Sequence, residues 1–243
     1  MKQLKIAGLC LVSMFVMSMA LAGNAAAALL WLVCLESTGL TKYSSNQCTE
    51  ASSTGKWQSL GLPSGVSDTV RLLAFSLRLA DTGAKVIIEC PDPGTTGWGL
   101  IEGPNKGQVK VAKVENPNAN CKILESGGGL CKEITVIEGG NLPWKTEIFT
   151  TEKRSLTRLL GTNNEAGWRI VCSGVEDRCL TVPEEPESLE LVNGVTKGVL
   201  LVLARFEQAA KAKCSLFGGR TGLVLGLAAV LLWNGNGLSI NNE

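Results

Sequence analysis

Cysteine, tryptophan and the carboxylates are the side chains through which this 243-residue sequence can do chemistry, because it has no histidine. Without an imidazole there is no Ser-His-Asp triad, no Cys-His dyad, no His-ligated zinc and no histidine pH switch. Nine cysteines are present. None stands in a Cys-x-x-Cys pair, so neither a zinc ribbon nor a dithiol redox centre is indicated. Glu133, Glu138 and Glu147, near Trp144, are the carboxylates a glycosidase would draw on, and their plain reading is solvated strand-edge acids. Asp92 among threonines invites calcium, yet the EF-hand pattern is missing. The glycine clusters lack the spacing of a phosphate-binding or dinucleotide loop. No cofactor and no metal are expected.

Two of the six tryptophans are candidates for ligand contact. Trp98 sits in Thr95-Thr-Gly-Trp-Gly-Leu100, read as a loop of small residues, and Trp144 follows Pro143 in a strand connection. An exposed indole stacks on a sugar ring or anchors a protein partner, and a buried one fills a core.

The elements that must position these residues read as strands. Trp31–Cys34, Val109–Val114, Ile134–Ile137 and Trp168–Cys172 are short, rich in β-branched residues and bounded by Gly, Pro, Asn or Ser. Phe75–Leu79 and Lys85–Cys90 flank Asp81-Thr82-Gly83, a hairpin link with Gly at the position needing positive φ. Asn193-Gly194 marks a second hairpin and Asn234-Gly-Asn-Gly237 a third. Arg205–Lys213 has helix formers throughout, and Val66, Val70, Leu73 and Leu77 fit a helical face; both are read as β because each leads into a turn and another strand-like run. Leu156–Leu160 before Gly161 reads as one helical turn with a Gly stop. Leu223–Trp233 is too short for a helix that spans a bilayer and reads as a buried strand. The whole is all-β: an antiparallel sandwich or barrel-like set of sheets with hairpins, braced by disulfides.

The N-terminus has its own pattern. Met1-Lys2-Gln3-Leu4-Lys5 is basic, Ile6–Ala22 is almost wholly apolar, and Asn24–Ala28 ends in alanines. That order is a secretory signal peptide, cut after Ala27. Residues 1–27 hold Lys2, Lys5 and Cys10, so the mature chain from Ala28 keeps 21 basic residues, 22 acidic residues and eight cysteines. Near-neutral charge gives no field for nucleic acid. An even cysteine count on the oxidising side of a membrane reads as a disulfide framework of Cys34, Cys48, Cys90, Cys121, Cys131, Cys172, Cys179 and Cys214. Local pairing suggests Cys34–Cys48, Cys121–Cys131, Cys172–Cys179 and Cys90–Cys214. A rival scheme joins Cys90 to Cys172 and Cys179 to Cys214, since strand alternation turns Cys90 and Cys172 to the core. Residues 28–243 form one exported domain, which a hinge at Gly127–Gly129 would divide into two subdomains.

Tyr43-Ser-Ser-Asn-Gln-Cys48, Leu142-Pro-Trp144 and Cys214-Ser-Leu-Phe-Gly-Gly219 together resemble a group of uncharacterised exported proteins of actinobacteria. The resemblance covers most of the mature chain. It implies a secreted, β-rich protein and brings no catalytic residues. The expected function is therefore non-enzymatic: an exported or cell-envelope protein that acts by binding or by structure, without a stable membrane span once the signal is cut. Its partner would be an extracellular protein or cell-wall glycan. A secreted inhibitor or effector and a histidine-free carboxylate hydrolase are the alternatives.

Overall fold

The computed structural model describes residues 29–37, 42–91, 95–151, 154–206, 212–216 and 219–241. Residues 1–27, expected to be a signal peptide, Asp92 and residues 207–211 of the Arg205–Lys213 run lie outside the described residues. From the N-terminal side, β1 (Trp31–Glu36), β2 (Trp57–Gly61), β3 (Ser67–Asp81), β4 (Val86–Cys90), β5 (Thr95–Glu102) and β6 (Lys106–Val114) lead to a single helical turn, α1 (Pro117–Asn120). Then come β7 (Lys122–Ser126), β8 (Ile134–Gly140), β9 (Trp144–Thr151), β10 (Arg154–Leu160), β11 (Gly167–Cys172) and β12 (Val175–Leu180). The chain ends in β13 (Glu187–Thr196), β14 (Val199–Phe206), β15 (Ala212–Cys214), β16 (Arg220–Leu232) and β17 (Leu238–Ile240). All pairings between these strands are antiparallel, and the all-β expectation is met.

β3 and β16 organise the large sheet. They pair from Val70↔Leu232 to Asp81↔Gly222, and their other edges are also filled. β16 takes β14 and β15 on its free edge, while β3 takes β5 along its first half and β4 along its second. Two closed circuits follow. One runs β3-β5-β6-β9-β10-β13-β14-β16 and the other β3-β5-β6-β8-β11-β12-β15-β16. Closure leaves few edges unpaired, the usual solution to exposed backbone donors and acceptors. Each circuit encloses a core. The first holds Val70, Ile101, Ile148, Leu159, Leu191 and Val202. The second holds Leu79, Ile88, Ile134, Ile137, Ile170 and six of the eight described cysteines.

A separate three-stranded sheet, β17-β1-β2, covers the first core with Leu29, Trp31, Val33, Leu238 and Ile240. Its attachment is specific. Asn193 Nδ2 donates to the Ile240 carbonyl at 2.7 Å, and the Ile240 N–H donates to Asn193 Oδ1 at 2.8 Å. That double bond explains why Asn193-Gly194 is not the expected hairpin turn. β13 runs straight through it, and the turn lies at Lys197-Gly198, both at positive φ, with Thr196 opposite Val199. Asn234–Gly237 does turn the chain, with Gly235 at φ 79°. It closes no hairpin, because β17 leaves the large sheet to pair with β1. The β3–β4 hairpin is present, but its link is four residues long and the positive φ falls on Lys85, not Gly83. Leu156–Leu160 is strand, not a helical turn: Thr157 and Leu159 face inward between β9 and β13. Gly127–Gly129, the expected hinge, is a tight turn of three positive-φ glycines after β7.

Four disulfides join Cys34–Cys48, Cys90–Cys121, Cys131–Cys172 and Cys179–Cys214. The first is as expected from local pairing and the last as in the rival scheme. Cys121–Cys131, Cys172–Cys179, Cys90–Cys214 and Cys90–Cys172 are corrected by register. β7 pairs β4 with Lys122 opposite Glu89, which sets Cys121 beside Cys90. In the β11–β12 hairpin Cys179 faces Trp168, four residues from Cys172 along the strand. Cys172 instead lies opposite Ile134, close to Cys131, and Cys179 lies directly opposite Cys214.

Non-reducing peptide mapping is expected to recover these four bridges. Asn193→Ala, which leaves both Ile240 backbone groups without their partner, is expected to lower unfolding stability by ~1–3 kcal/mol in a denaturant titration.

Candidate functional site

The two tryptophans do not share a site. Trp98 lies on β5, not in a loop, between the buried Gly97 and Gly99. Its ring is 37% exposed and carries the Lys110 ammonium 5.3 Å from its centroid. Trp144 opens β9 and is half-buried, its Nε1 donating to the Gly140 carbonyl at 2.7 Å. Gly139 lies against this indole so closely that a Cβ there would meet Trp144 Cζ2 at 2.8 Å. Trp144 packs on the first core and lines an interior cavity.

That cavity, of about 200 Å³, is the main feature sequence reading missed. It lies where the two cores meet, between Val70, Ile101 and Leu191 of one and Leu79, Val114 and Ile137 of the other. Its origin is a row of small side chains. Ala204 of β14, Ala228 of β16 and Ala74 of β3 stand opposite one another across three paired strands, and all three line the cavity. Where neighbouring positions project Leu or Val, these project a methyl, and the opposite wall does not collapse onto them. Its polar lining residues include Ser76, Gln108, Lys113, Glu138, Thr146 and Thr157.

A second missed feature is a pair of buried acids. Asp81, at the end of β3, and Asp177, in β12, are the only buried carboxylates among the described residues. Asp81 Oδ1 accepts from the Gly83 N–H at 2.9 Å, the Ala84 N–H at 3.2 Å and the Thr221 hydroxyl at 2.6 Å, while its Oδ2 has no partner. Asp177 Oδ1 accepts from the Ser215 hydroxyl at 3.2 Å and the Leu216 N–H at 3.3 Å. Its Oδ2 lies 3.7 Å from Cys179 Sγ. Burial, and next the charge of Asp81, push the Asp177 carboxyl above the usual range. Asp81, Asp177, Cys179 and Cys214 bring their oxygens and sulfurs within 4.8 Å of one another. The sulfurs are bonded to each other and offer no thiolate to a metal. Beside Asp177 the interior has about 10 Å³, the size of one water. Strand alternation held the signal for this pair: Asp177 shares its strand face with the core cysteine Cys179.

The expected carboxylates are spread over the surface. Glu138 bonds the Arg169 guanidinium at 2.8 Å, and Arg169 reaches Glu176 at 2.9 Å, which Arg178 also holds at 2.9 Å. Hydrogen bonds from these acids raise the Arg169 pKa, and Arg169 in turn lowers that of Glu176. Glu147 sits on β9 opposite Lys106 and Arg158, and Glu133 precedes β8. Ser53-Thr-Gly-Lys56 has Ser-x-x-Lys spacing, but it is an exposed turn, not the helical turn that brings such residues onto one face. Comparison of the chain with known protein families, characterised proteins and solved structures finds no match.

Because Trp144 is part of the wall and Trp98 faces solvent, their truncations separate. Trp144→Ala is expected to cost ~3–5 kcal/mol of stability and Trp98→Ala less than ~1 kcal/mol, read from paired denaturation curves.

Proposed function

We propose that this chain is an exported, non-enzymatic binding protein that holds a small apolar molecule inside its double barrel. The apolar cavity of about 200 Å³ between the two cores carries this reading. Empty interior space of that size costs stability, because the lining atoms lose dispersion contacts. A ligand that fills it regains those contacts and removes its own apolar surface from water at ~25 cal/mol per Å². An apolar cavity of ~150 Å³ accepts benzene, so this one suits a substituted aromatic ring or a chain of about eight to ten carbons.

Export is supported by the order of residues 1–27 and by four disulfides, which persist in oxidising compartments. Among the described residues no helix is long and apolar enough to cross a membrane. The resemblance to exported actinobacterial proteins agrees with this location. Trp98, exposed beneath Lys110, is one outward aromatic to which a cell-wall glycan or protein partner would bind, and Trp233 beneath Arg71 is more exposed still.

Toluene serves as the probe. Thermal unfolding with and without it is expected to show a higher Tm in its presence, a gain that reaches ~2.7 kcal/mol at a hundredfold excess over Kd. Ala228→Leu, which fills the cavity from the alanine row, is expected to unfold cooperatively and to lose that gain. Absence of any shift in the parent chain, or an equal shift in Ala228→Leu, sinks the reading.

A further inference from the structure

Asp81 and Asp177 stand in an environment that does not suit two negative charges. Each is buried, at 0% and 5% exposure, and the hydrogen bonds that reach them satisfy one oxygen of each. The charged neighbours on the packed elements turn elsewhere. On β12, Glu176 and Arg178 bond each other on the outer face, and on β16 Arg220 bonds Glu185. Lys85 in the β3–β4 turn, Arg78 of β3 and Lys213 of β15 are exposed, and Glu89 of β4 lies on the strand face opposite the buried Ile88 and Cys90. The other face of the pair is the Cys179–Cys214 disulfide. Two carboxylates this close in a dry site do not both ionise readily, and a shared proton is the established remedy.

We propose that Asp81 and Asp177 share one proton and act as an acid-held latch, which ties β3, β12 and the β15–β16 turn together while the proton is present and loosens them when it is lost. The proton belongs on Asp177. Asp81 accepts two main-chain N–H groups and the Thr221 hydroxyl through Oδ1, and its bare Oδ2 is the acceptor lacking a donor. Asp177 is the carboxyl that burial and its neighbour push upward. The latch stands on these two side chains and is independent of what fills the cavity.

The pH dependence has a fixed sign. An unfolded Asp titrates near ~3.9, and folding raises Asp177 above this, so the folded chain keeps a proton that the unfolded chain releases. The contribution to stability is complete below the unfolded value, falls as pH rises through the folded value, and is gone above it. The Leu216 amide, which bonds Asp177 Oδ1, reports the latch.

Hydrogen exchange at Leu216, corrected for the intrinsic effect of pH, is measured from pH 4 to pH 8 beside Tm. In the parent chain, protection is expected to fall progressively as pH rises over this range. Asp177→Asn keeps an acceptor for Ser215 and Leu216 and places an amide donor toward Asp81; its protection is expected to stay flat. Asp81→Asn, which removes the partner charge, serves as a second variant and is expected to lose most of the fall. Flat protection in the parent chain, or an unchanged fall in both variants, overturns the latch. So does recovery of protection at pH 8 on adding zinc or calcium to the parent chain, which would assign the pair to a cation.

Discussion

The β3–β16 ladder is the constraint from which the rest of the structure follows. A long strand in a barrel wall must place every backbone N–H and C=O, and these two do so against each other from Val70↔Leu232 to Asp81↔Gly222. Their outer edges then need partners of their own. Each is too long for one neighbour to cover, so β14 and β15 divide the edge of β16, and β5 and β4 divide that of β3. That division creates two circuits and two cores. The bulge at Phe75, between Ala74↔Ala228 and Ser76↔Leu227, falls where β3 passes from pairing with β5 to pairing with β4. An extra residue on one strand increases local twist, which helps one ladder serve two barrels.

Side-chain size along the same ladder determines what lies between the cores. β16 carries apolar residues on both faces, and its outward Leu225 is exposed. Only the inward set bears on the cavity, and there Ala228 stands between Ala74 and Ala204. Glycines act in the opposite sense, by drawing backbones together. A Cβ at Gly222 would meet Cys179 Cβ and Cys214 Sγ at 2.8 Å, so glycine at this point lets β16 approach the disulfide and the acid pair. The chain thus keeps an open space at its centre and a close approach beside the Cys179–Cys214 disulfide.

Much of this was legible before the structure, wherever local residue type determines the outcome. Trp31–Cys34, Val109–Val114, Ile134–Ile137 and Trp168–Cys172 are strands because β-branched side chains and flanking turn residues agree. Val70, Leu73 and Leu77 lie on β3, with Val66 just before it, despite their helical spacing, since pairing along both edges of β3 outweighs a weak local preference. Non-local partners escaped the reading. Asn193-Gly194 has the composition of a turn, and only the arrival of Ile240, 47 residues later, shows that the asparagine serves as a docking point. The cysteine partners depended likewise on β7 pairing with β4, which no spacing announces. The alanine row was invisible because it is a row only after β14, β16 and β3 are set side by side.

The two ends of the double barrel are closed by different physics. At the second core three disulfides cross between elements, Cys90–Cys121, Cys131–Cys172 and Cys179–Cys214. Covalent links restrict the unfolded chain and do not weaken with pH, so any response to acidity at that end must come from the carboxylates beside them. At the first core the cover is the small sheet built from both ends of the described chain. It is held to the large sheet by the Asn193–Ile240 bonds, by the Trp31 N–H donating to the Pro104 carbonyl at 2.7 Å, and by the apolar faces of Trp31, Val33 and Leu238. Cys34–Cys48 braces that sheet to the loop beside it but does not tie it to the barrel. Hydrogen bonds of ~1 kcal/mol each and apolar contact are reversible attachments, whereas the opposite end is fixed by covalent bonds.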